Sequence, residues 1–129
     1  MGGERFESCN ANPVRAGSGD SIIRAIARVT EQCWEKTYME LCMMGMILGS
    51  MPDEDNVWGA YLRKKGFRRA MLADDPEKTV TVKSFCAENP RGRYVLVLPR
   101  GAVAVVEGKY MDTWDCGDEI PIYYWVKGE

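Results

Sequence analysis

An α+β fold in a single domain is what this sequence predicts, with helices first and an antiparallel sheet after them. Three observations carry the prediction. Apolar residues recur at helical spacing across residues 21–62. From residue 94 the period changes, and residues 94–98 and 102–107 become almost continuous apolar runs, as strands covered on both faces do. Glu107-Gly108 then offers a tight hairpin turn into a further strand. Helices followed by antiparallel strands are the α+β order.

Residues 1–18 hold Gly2, Gly3, Asn10, Asn12, Pro13, Gly17 and Ser18, a composition that reads as an irregular arm. Residues 19–129 are read as the domain. Asp20 stands where an N-cap belongs, and Ile22, Ile23, Ile26 and Val29 form the apolar stripe of a helix over residues 21–29. Arg24 and Arg28 lie four apart on its other side. A second helix is predicted over residues 34–47, with Trp34, Tyr38, Leu41, Cys42 and Met46 as its stripe and Gly49 at its end. A third runs over residues 54–65, turning Val57, Trp58, Tyr61 and Leu62 inward and stopping at Gly66. A short strand over residues 67–72 and a short helix over residues 83–88 follow. Strands are then expected at 94–98, 102–107 and 109–114, with a last strand or extended tail at 120–126. Four or five strands under three or four helices make the predicted architecture.

The chain has 129 residues, enough to bury one core without disulfides or metal. It contains no histidine, which removes every mechanism built on imidazole, from the Ser-His base to His metal ligands. A net charge of -2 makes no electrostatic case for nucleic acid. The local basic run Arg63, Lys64, Lys65, Arg68 and Arg69 reads as a solvated helix end. Five cysteines without a CxxC pair signal neither a disulfide framework nor zinc. They read as reduced thiols of a cytoplasmic protein. No run reaches membrane-spanning length and no secretory leader is read, so no membrane partner is expected. Met39, Met43, Met44 and Met46 read as core filler.

Two stretches carry the functional expectation. Gly19-Asp20-Ser21-Ile22-Ile23-Arg24-Ala25-Ile26 sets a hydroxyl at a helix N-terminus, where unpaired N–H groups favour negative charge. Gly101-Ala102-Val103-Ala104-Val105-Val106 leads through Gly108 into Lys109-Tyr110-Met111-Asp112-Thr113-Trp114-Asp115, a hairpin ending in carboxylates. Together with Asn12-Pro13, Trp34 and Leu41-Cys42, their order and spacing resemble small proteins of Firmicutes and their prophages, related to the papain-like cysteine peptidase fold of NlpC type. The resemblance spans residues 10–126. It implies a papain-like cleft in which Ser21 holds the nucleophile position, usually Cys. Ala102 holds the position of the base, usually His, and Asp112 that of the acid that orients it. Such a helix start would stabilise a thiolate, and the Ser21 N–H could serve an oxyanion.

This chain departs from the pattern where it matters most. A serine hydroxyl needs a base more than a thiol does, and Ala102 supplies none. The resemblance therefore implies a degenerate hydrolase cleft that binds without cutting, through Asp20, Ser21, Arg24, Asp112 and Trp114. Its ligand would be a small anionic molecule, a peptide or a host protein. A phage-encoded inhibitor or sponge against host defence is one concrete version. An active hydrolase or amidase is the first alternative, with Ser21 an engineered replacement of cysteine, with a non-histidine base such as Lys109, or with Cys116 as an exposed thiol. A homo-oligomeric interaction module, recognisable by an exposed apolar patch, is the second. No cofactor or metal is expected. Asp115, Asp118 and Glu119 read as a solvated acidic loop.

Overall fold

The computed structural model describes residues 6–8, 10–11, 20–72, 79–99, 101–112 and 115–128. In chain order its elements are β1 (Phe6–Ser8), α1 (Ser21–Thr30), α2 (Trp34–Leu48), α3 (Asp55–Lys64), β2 (Phe67–Met71), α4 (Val82–Glu88), β3 (Arg93–Leu98), β4 (Gly101–Val106), β5 (Lys109–Asp112) and β6 (Tyr123–Lys127). The fold is α+β, with four helices and one six-stranded sheet of order β1-β5-β4-β3-β6-β2. The sheet is mixed, which corrects the expectation of a purely antiparallel one. Phe6–Ser8, in the stretch read as an irregular arm, runs parallel to β5 with Phe6 beside Tyr110. The other four pairings are antiparallel.

Strand alternation divides the core between the two faces of the sheet. Val95, Val97, Ala102, Ala104 and Trp125 face α1, α2 and α3, where Ile23, Ile26, Val29, Leu41, Trp58 and Leu62 meet them. Leu96, Leu98, Val103, Val105 and Tyr110 face the other way, toward Val82, Phe85 and Cys86 of α4. Cover on both sides explains why β3 and β4 are apolar at nearly every position. On the α1 side β4 offers the small residues Gly101, Ala102 and Ala104, so the helix can lie close to the strand.

α1 ends where Glu31 adopts a left-handed φ of 58° and Gln32 N–H reaches back to Ala27 O at 3.0 Å. Gln32 also donates to the Tyr61 hydroxyl at 2.9 Å, and that hydroxyl donates to Glu40. The network ties α1, α2 and α3 together. The Tyr61 hydroxyl holds Glu40 below its ordinary range. Burial, then that same bond, raises Tyr61. α4 starts at a capping box between Thr81 and Ser84, and the next N–H groups, of Val82 and Lys83, donate to Glu119 and Gly117 carbonyls at 2.9 Å and 3.0 Å.

α2 departs from its predicted stripe. Its buried side is Thr37, Leu41 and Gly45, while Met39, Met43 and Met46 are exposed rather than core filler. Among the described residues no helix is long and apolar enough to cross a membrane.

Candidate functional site

The start of α1, the start of β4 and the end of β5 meet at one end of the sheet. The contact between α1 and β4 is close. Ala102 N–H donates to Ser21 Oγ at 3.3 Å, and a Cβ built on Gly101 would stand 2.0 Å from that oxygen. Position 101 must therefore be glycine for Ser21 to sit where it does. Ala102 itself is buried in the α1-facing core.

Asp20 precedes the helix as expected, yet its carboxylate does not cap it. It accepts instead from Arg24 Nε at 3.0 Å and from the indole N–H of Trp34 at 2.9 Å. Arg24, one turn into the helix, reaches across to β5 and donates from Nη1 to Asp112 Oδ1 at 2.6 Å. The side chains of Asp20, Arg24 and Asp112 are 9%, 13% and 8% exposed. At that depth a guanidinium between two carboxylates fixes the geometry of all three, because withdrawing any one strands charge away from water. The arginine read as lying on the outer side of α1 thus turns inward.

The positions assigned to nucleophile, base and orienting acid come together here. Ser21 touches the Ala102 backbone, and Arg24 links Ser21's helix to Asp112. Among the described residues, Ser21 Oγ meets a backbone N–H and no base, and the Asp112 carboxylate meets a guanidinium. A neutral hydroxyl with no proton acceptor of higher basicity beside it stays protonated and weakly nucleophilic. Lys109 does not fill the gap. It is exposed and pairs with Val106, four residues along β4 from Ala102, or about 13 Å at strand rise. Trp114, like Asn12, Pro13, Gly19 and Thr113, lies outside the described residues.

Cys116 is not the exposed thiol read from its turn. It is 1% exposed and packs beneath α4. The loop folds over it because the Tyr110 hydroxyl and the Gly117 N–H both bond the Asp115 carboxylate. Those bonds hold Asp115 below its ordinary range, and burial pushes the Cys116 thiol up to about 12. A thiol raised above its unfolded value adds stability below pH about 9 and loses it as the pH climbs through 12. We therefore expect Cys116 to resist iodoacetamide at pH 8 in the folded protein while exposed Cys33 reacts, as read by peptide mass mapping. Equal labelling of both would contradict the packing. Among the described residues no three His, Cys, Asp or Glu groups converge as metal ligands.

A cleft lies further along α1, beside Arg28. Ala27, Arg28, Glu31, Gln32, Arg93, Val106 and Met111 line about 350 Å³. Arg93 reaches Glu31 at 2.8 Å, and Arg28 approaches Met111 Sδ at 3.8 Å. The sequence offered one signal for this cleft, the i, i+4 spacing of Arg24 and Arg28, and none for Arg93. No protein-family model, no curated protein and no solved structure matches this chain.

Proposed function

We propose that the chain is a catalytically inert binding domain on a papain-like scaffold, whose nucleophile position survives as Ser21 without a base. One observation carries the reading. The Asp112 carboxylate, the group that would orient an imidazole, is engaged by Arg24 at 2.6 Å. An acid held by a buried guanidinium has become part of the framework. Ligand binding falls to the neighbouring cleft, where Arg93 is paired with Glu31 and Arg28 leaves the lining net positive, which favours a small anion or an acidic peptide. A phage-encoded sponge or inhibitor is a cytoplasmic version of this reading that follows from the resemblance.

Two measurements test it. A fluorophosphonate probe, which phosphonylates an activated serine with loss of fluoride, should leave Ser21 unmodified by intact mass, and a covalent adduct mapped to Ser21 would restore the hydrolase reading. Native mass spectrometry of freshly purified protein should show an added mass that disappears on denaturation, and Arg28→Glu should abolish it. An adduct that Arg28→Glu leaves unchanged would move the ligand out of this cleft.

A further inference from the structure

The outer side of α2 is the largest feature that the Ser21 region leaves unexplained. Thr37, Leu41 and Gly45 are buried at four-residue spacing. At 100° per residue, Met39, Met43, Met46 and Ile47 fall on the opposite side of the cylinder. These four are 59%, 53%, 76% and 75% exposed, and Met51, also exposed, follows just past the end of the helix. Lys36, Met39, Met43 and Met46 are spaced three, four and three apart, the spacing of a helix–helix seam. From Leu41 to Pro52 no residue is charged. Over residues 41–48 the helix is uncharged on every side, and an apolar stretch of that kind is one that belongs against something.

We infer that a second copy of this chain covers the ridge, α2 packing antiparallel on α2 about a two-fold axis near Met43. Five such side chains present on the order of 500 Å² of contiguous apolar surface, and the flanking residues of the ridge bring a contact toward the ~800 Å² that a standard interface takes from each partner. Composition fits as well, since interface centres are rich in methionine and poor in charge. Charge complements at the ends. Antiparallel pairing about Met43 sets exposed Lys36 opposite Ser50, just short of the exposed run Asp53, Glu54 and Asp55 in the other copy, while Glu35 lies about 100° around the helix from Lys36. The inference stands apart from the reading of Ser21, because the two regions share no residue.

Light scattering of the intact chain at micromolar concentration should give twice 14.6 kDa. Met43→Lys should give the monomer with an unchanged circular dichroism spectrum, while Met71→Lys, on exposed β2, should leave the dimer intact. Met43→Cys should form an intermolecular disulfide under mild oxidation that neither the parent chain nor Met71→Cys forms, a readout that stands even if the lysine variant misfolds. A monomeric parent chain, or a dimer indifferent to Met43→Lys, overturns the inference. So does a monomer that binds phosphatidylserine vesicles through Met43, which would assign the ridge to a membrane surface.

Discussion

Arg24→Met is expected to lower folding stability by about 3–5 kcal/mol, the usual consequence of stripping a buried carboxylate of its cation. For a chain of this length that corresponds to a fall in Tm of roughly 10–20 °C. The loss arises because Asp20 and Asp112 both turn to one guanidinium and both are largely withdrawn from water. Arg24→Lys should recover little, because an ammonium cannot reproduce the fork that spans the helix and β5. Arg24→Met combined with Asp112→Leu should regain about half of the lost stability, since it removes one of the two stranded carboxylates and leaves Asp20 with the Trp34 indole N–H. Denaturant unfolding of the two single variants and the double variant closes the cycle. A single Arg24→Met variant within about 1 kcal/mol of the parent would show that the ion pairs are ornamental to the fold.

Gly101→Ala is the second large effect. The added methyl would lie 2.0 Å from Ser21 Oγ and 3.1 Å from Ser21 Cβ. Rotating the hydroxyl aside relieves the first contact and sacrifices the bond from Ala102 N–H; the second contact requires α1 and β4 to part. Overpacking of this kind costs about 1–3 kcal/mol. Ser21→Ala should be mild alone, and in combination with Gly101→Ala it should restore part of the loss by removing the oxygen. If Gly101→Ala unfolds at the same denaturant concentration as the parent, Ser21 and Gly101 are not in contact.

What could be read before the structure, and what could not, follows from how each segment meets the core. α1 and α3 each present one apolar stripe, so Ile23, Ile26, Val57, Trp58 and Leu62 announce their own burial. β3 and β4 announce theirs by lacking polar positions. α2 is different: with methionine, leucine, isoleucine or glycine on nearly every side, its composition does not say which face turns inward. The stripe drawn through Cys42 and Met46 is displaced from the one through Thr37, Leu41 and Gly45. β1 is three residues long, and its register depends on β5, about a hundred residues away. No local pattern can encode that pairing. The resemblance leads one to expect Ser21, Ala102 and Asp112 on one cleft; the structure has the Ala102 N–H on Ser21 and Arg24 on Asp112. That guanidinium was not legible, because an arginine four residues from another on a helix ordinarily faces water. The depth of Cys116 depends on one hydrogen-bonded loop, and turn composition alone points the other way.

One feature of the sheet bears on how the molecule comes into being. β6, the last strand in the chain, is not at an edge. It lies between β3 and β2, pairing Trp125 with Val95 on one side and with Arg69 on the other. During synthesis β2 therefore emerges with no neighbour to bond, and β3, β4 and β5 form a ribbon with one long side unsatisfied. The helices cannot be sealed beneath the sheet until Trp125 arrives to pack against Trp58, their rings 6.3 Å apart. Long-range pairing of this kind slows folding. The nascent chain carries an open strand edge until residue 127 has cleared the ribosome, so its exposure to aggregation lasts until β6 is free to pair with β2 and β3.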